Sequence, residues 1–199
     1  MYVLYALFFG LMLQLTLQYI PLKPDVAFLQ IKQTEVHSVK GYLFIFYVHV
    51  YSSILVLLAG FTQFSGYLLR QYKKIHRFFG WNYFIVVICL SAPSGIFMGF
   101  FANGAWHSKV SFILLGLLWE YCTISALVYI KQNKVDKHRQ FMIRSFALAV
   151  SAITLRTWKV ILVYTLHTAP MDTYQIIAWL GWVPNLLIAE YIIRRKNIK

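Results

Sequence analysis

Apolar residues in this chain gather into long runs separated by short polar segments. A helix needs about 18 to 20 predominantly apolar residues to cross the hydrocarbon core of a bilayer. By that measure the pattern predicts about six spans, near residues 2–20, 42–68, 78–101, 108–130, 141–166 and 174–193. The expected fold is all-α, a polytopic membrane helix bundle forming one transmembrane domain over residues 1–199. The first run, Met1 to Ile20, has the length of a signal peptide. It lacks a basic start and a small-residue cleavage site, and Pro21 follows it, so it is read as a retained span.

Composition supports the membrane class. Hydrophobic residues make up 60% of the 199 positions and charged ones only 13%, with a mean hydropathy of +0.62. A net charge of +13 would fit a nucleic-acid partner. Most of the Lys and Arg residues, however, sit in short loops between apolar runs, which is a topology signal and speaks against nucleic acid. Cys89 and Cys122 lie within apolar spans without CxxC spacing and read as small core residues.

The charges also orient the chain. Arg70, Lys73, Lys74 and Arg77 fill one loop, and Lys131, Lys134, Lys137 and Arg139 another; Arg194, Arg195, Lys196 and Lys199 close the tail. With six spans these three segments share one side. The long loop Pro21 to Gly41 is a mixed-sign surface segment carrying Lys23, Asp25, Lys32, Glu35 and Lys40, and the loop after Leu166 has no Lys or Arg. The protein is expected in the cell (inner) membrane, and the positive-inside rule then puts both termini in the cytoplasm.

Within this frame the histidines are the candidate chemistry, because an ionisable side chain at membrane depth is costly and usually faces the bundle interior. His49 lies about 10 Å inside its span at 1.5 Å per residue. His76 and Arg77 stand ahead of the third span, His107 ahead of the fourth, and His138 and Arg139 ahead of the fifth. Alternating spans put His76 and His138 on the cytoplasmic side and His49 and His107 toward the outside. His37 and His167 read as loop residues.

Helical spacing extends each histidine into a stripe. These are Ser53, Val56, Gly60 and Gln63 from His49; Gly80, Tyr83, Val87, Ser91 and Ser94 from His76; and Met142, Ser145, Ala149, Ala152 and Arg156 from His138. Such small-residue faces either close tightly on one another or leave room for a flat cofactor. Two imidazoles from facing helices can hold a b-type haem, with Arg77 and Arg139 meeting its propionates. His76 and His138 suit this geometry best, while His49 and His107 differ in depth by roughly 10 Å. The plain alternative for each is an interfacial histidine at a helix end. A zinc site is disfavoured, since the histidines divide between two faces without an HExxH or Cys–His cluster.

Arg156 lies about 27 Å beyond His138 and is a candidate for a propionate, a quinone carbonyl or another anion, with outward snorkelling as the plain account. Glu120, near the middle of its span, is expected to pair with Arg144.

The segments HRFFGWNYF from His76 and HRQFMIRSFALAVSAITLR from His138, with the ending WLGWVPNLLIAEYIIRR, carry a resemblance. The chain resembles a family of bacterial predicted membrane proteins defined as a domain of unknown function. The resemblance implies matching histidines at His49, His76 and His138, not at His107, and no established activity. The histidine layout is similar to that of dihaem transmembrane cytochromes b, an architectural likeness only. Two function classes stay open. One is a haem-bearing electron carrier, a membrane oxidoreductase with a quinone or small reductant as partner. The other is a non-redox protein, either a small-molecule transporter or an accessory subunit of a larger membrane complex. Pro93 with Gly95, and Pro184, support the second, because transporters often carry helices broken near the midplane.

Overall fold

The computed structural model describes residues 2–167 and 170–197. Thr168 and Ala169 of the loop after Leu166, and Lys199 of the basic tail, lie outside the described residues. The described residues are all-α, as expected. Five helical stretches are long and apolar enough to cross a membrane: Tyr42–Gln63, Lys73–Phe100, Ala105–Lys131, Val135–Thr165 and Met171–Arg195. The shortest has 22 residues, or roughly 33 Å at 1.5 Å per residue, against a hydrocarbon core of about 30 Å. A sixth apolar helix, α1 (Tyr2–Leu17), is shorter. Large apolar side chains stay exposed on the long helices, among them Phe44, Leu55, Leu117, Ile124, Leu187 and Ile188. Such surfaces are costly in water and suit lipid.

Contacts divide the chain into two compact units, Met1–Ser94 and Gly95–Lys199. In the first, α1 leads through a 3-10 turn (Ala27–Lys32) and α2 (Gln33–Ser38) to α3 (Tyr42–Gln63), then α4 (Gly66–Gln71) and α5 (Lys73–Val86). A π-helical segment, Val87–Ser91, follows, and α6 (Ala92–Phe100) continues from it across the division. The π segment ends two residues before Pro93, which has no N–H and whose ring crowds the carbonyl four residues back. A wider turn there accommodates the interruption.

In the core of this unit α3, with Tyr42, Phe46, Val56 and Leu57 buried, packs against α5 and the π segment, where Tyr83, Phe84 and Val87 are buried, and Phe46 also meets the rings of Tyr19 and Phe28. Gly80 lets Gln63 cross between the helices: an added Cβ would stand 3.2 Å from Gln63 Oε1, and Gln63 Nε2 donates to the His76 carbonyl at 3.1 Å. The loop before α3 is not purely surface, contrary to its mixed-sign pattern. Lys32 is buried and pairs with Glu35 at 2.7 Å, a cost met by the close charge partner. The loop is tied down by Tyr47, whose hydroxyl donates to the Lys23 carbonyl at 2.7 Å and accepts from the Lys23 N–H at 2.9 Å.

The second unit contains α7 (Ala105–Lys131), α8 (Val135–Ala149), α9 (Ser151–Leu166), α10 (Pro170–Leu180) and α11 (Val183–Asn197). Gly104 starts α7 with φ +81°, a left-handed value that favours glycine, and a Cβ there would lie 2.8 Å from Ser108 Oγ. Along α7, Thr123 Oγ1 and Ser145 Oγ share a hydrogen bond of 2.7 Å, so the small faces of α7 and α8 close directly on each other.

The sixth span is broken between α10 and α11. At the break the Trp182 N–H turns to the Trp179 carbonyl, releasing the Ala178 carbonyl, which accepts from Ser111 Oγ at 2.8 Å. Trp182 Nε1 in turn donates to Ser111 Oγ at 2.9 Å. Thr154 and Asn185 both donate to the Gly181 carbonyl. In lipid an unmet carbonyl is expensive, and these side chains are what make the break affordable.

Candidate functional site

His76 and His138 occupy the same place in their helices. Each is the fourth helical residue, and each backbone N–H bonds to the carbonyl just before its helix, Tyr72 O for His76 and Lys134 O for His138. The helices start earlier than the apolar pattern predicts, at Lys73 and Val135 instead of near 78 and 141, because Lys residues form helix as readily as apolar ones. Both histidines therefore sit inside a first turn instead of ahead of it. Arg77 and Arg139 follow them and are exposed.

The ring of His138 is oriented from α7: its Nδ1 lies 2.9 Å from the Ala126 carbonyl. A carbonyl can only accept, so Nδ1 carries the proton, and in the neutral ring the lone pair belongs to Nε2. A metal-ligating imidazole is commonly held by such a bond. His138 thus has the tautomer and the support that an axial ligand requires. Its stripe continues inward through Met142, Ser145 and Ala149, all buried. Arg156 departs from the stripe. Arg156 is exposed, and its Nη1 donates to the Ala152 carbonyl at 2.7 Å.

His49, the eighth residue of α3, belongs to a polar cluster in the first unit. Its Nδ1 is 3.1 Å from the Ser91 carbonyl and 3.2 Å from Ser94 Oγ, and Ser91 Oγ donates to Ser52 Oγ at 2.8 Å. Ser52, Ser91 and Ser94 are buried. The stripe from His76 correctly holds Ser91 and Ser94. The stripe from His49 selects Ser53, whereas its neighbour Ser52, about 100° around the helix, makes the buried contact. His107, the third residue of α7, is exposed with its ring stacked 3.8 Å from that of Trp106. His37 lies in the last turn of the short helix α2 and not in a loop, His167 caps the C-terminus of α9, and both are exposed.

Two further expectations are corrected. Arg144 pairs with Glu190 of α11, not with Glu120: its Nε and Nη2 donate to the two carboxylate oxygens, the second at 3.0 Å. Glu190 lies close to the basic end of its span, and only the packing of α11 beside α8 brings it to Arg144. Of the cysteines, Cys122 is buried as expected, but Cys89 is exposed.

Among the described residues, five membrane-length apolar helices, a sixth shorter one and exposed apolar side chains define a polytopic membrane protein of the all-α class. More particularly, the chain belongs to the family described as predicted membrane protein (DUF2306), whose model matches residues 46–193. That match includes His49, His76, His138 and the Arg144–Glu190 pair. No curated protein and no solved structure matches the chain.

Proposed function

We propose that this integral membrane protein is an electron carrier that binds a b-type haem through His76 and His138. The observation that carries the proposal is the bond from His138 Nδ1–H to the Ala126 carbonyl, which orients the ring from α7 as the supporting bond of a metal-ligating imidazole does. The matching first-turn position of His76 and the exposed arginine after each histidine support it, since Arg77 and Arg139 are suited to propionates at the headgroup level. When bound, the haem would supply the one-electron chemistry; the chain holds the imidazole orientation and the basic surroundings. A quinone or a small reductant is the proposed redox partner.

The test is a visible spectrum of protein purified from cells supplied with haem. Sharp reduced bands of a six-coordinate low-spin haem are expected, and His76→Ala or His138→Ala should abolish or greatly weaken them. His107→Ala should have little effect, given its exposed ring. A colourless preparation, or a spectrum that survives both substitutions, would favour the second reading. That reading, a transporter or an accessory subunit of a larger complex, draws support from the interruptions at Pro93 and between α10 and α11.

For the orientation we propose cytoplasmic termini in the inner membrane, from the clustering of basic residues in alternate loops. A reporter active only in the periplasm should be silent when fused at the C-terminus and active when inserted in the loop 21–41. The reverse pattern would invert the topology.

A further inference from the structure

Between α7, α8 and α11 of the second unit lies a groove of about 480 Å³. Its polarity is graded. Lys137, near the start of α8, lines one end, and Arg144 with Glu190 stands about 10 Å further along the helix at 1.5 Å per residue. Beyond them the walls are apolar, with Leu118, Leu148 and Leu186. The antiparallel neighbours agree with this order: Tyr129 on α7 lies under the Lys137 ammonium at 5.3 Å, while Leu118 is three helical turns deeper.

The charged residues of the lining are Lys137, Arg144 and Glu190, two cations and one carboxylate. Glu190 engages two of the N–H donors of Arg144. A guanidinium has five, so three remain to be met from the groove that Arg144 lines. A single negative charge would balance the lining, and a phosphate oxygen is a good acceptor for both Lys and Arg. Next to it, the apolar walls offer hydrocarbon contact toward the membrane interior.

We propose that this groove binds one anionic phospholipid, with its phosphate between Lys137 and Arg144 and an acyl chain along Leu118, Leu148 and Leu186. Charge complementarity selects the anionic headgroup, and the graded walls select a chain-bearing molecule over a free phosphate. The inference is independent of haem, and its test uses no haem signal.

The full chain, purified and delipidated in a neutral detergent, is titrated with phosphatidylglycerol, with phosphatidylcholine of the same acyl chains, and with inorganic phosphate. Binding is read by native mass spectrometry and by the thermal transition. Phosphatidylglycerol should bind saturably at one copy per chain and raise the transition, with phosphatidylcholine and phosphate having much smaller effects. Lys137 is exposed, so Lys137→Gln should fold normally yet weaken phosphatidylglycerol binding about fivefold, the usual contribution of one basic residue at a lipid surface. Lys134→Gln, the same charge change one turn earlier and outside the groove, should leave that binding unchanged. Equal binding of the two lipids, equal protection by inorganic phosphate, or equal losses in the two variants would each overturn the proposal.

Discussion

Glutamine in place of Arg144 is expected to destabilise the purified protein by about 2 kcal/mol, because it strands the Glu190 carboxylate in a setting where water screens it poorly. The figure lies below that of a fully buried pair, since the two side chains keep 21% and 34% exposure. Glu190→Gln should cost a similar amount for the same reason. The double variant carries no stranded charge, so its loss should fall short of the sum by about 1 kcal/mol or more. Thermal unfolding of the four proteins in one detergent provides the measurement. Glu120→Gln, combined with Arg144→Gln, should be additive. Coupling to Glu120 with additivity at Glu190 would refute the pairing seen between α8 and α11.

Valine at Gly116 should be at least as damaging. A Cβ at this position would lie 2.5 Å from Ile96 Cγ1, and the atom it meets is held by a branched side chain close to its own backbone. The two helices are close along a longer line, since a Cβ on Gly99 would stand 3.1 Å from Ile113 Cγ1 and 3.2 Å from its N. Relief therefore requires α6 and α7 to separate. Overpacking of this kind costs about 1–3 kcal/mol, and in a helix pair held by close packing it should cut the yield of monodisperse protein severalfold. Gly10→Val is the matched control, as nothing lies within 4 Å of an added Cβ there. Ile96→Ala should partly restore Gly116→Val. Equal behaviour of the two valine variants would mean that the close approach is not what the glycine serves.

The clearest failure of the sequence concerned Arg144. Counting 1.5 Å per residue from a helix end gives a side chain's level in the membrane, and Glu120 and Glu190 both fall within reach of that level. It does not tell which helices are neighbours, nor which way each is rotated about its axis. Packing of α11 beside α8 selects Glu190. The same limit explains Ser52: the position of His49 along its helix agrees with the apolar pattern, yet one residue of rotation separates the serine that meets Ser91 from the one on the stripe.

What the chain's linear pattern determined is the set of properties that depend on one helix at a time. Apolar run length established the spans, and the position of His76 and His138 just before their apolar runs put each at a helix start. Spacing from His76 found the buried Tyr83, Val87, Ser91 and Ser94. Tertiary structure alone decided what depends on two helices. It gave Arg144 its partner, set the Ala126 carbonyl against His138 Nδ1, met the carbonyls of the broken sixth span with Ser111, Thr154 and Asn185, and opened the groove beside Lys137. The physical reason is that backbone hydrogen bonds and hydrophobic thickness act within a single span, whereas partner choice follows from side-chain packing between helices, which many sequences with the same apolar runs would resolve differently.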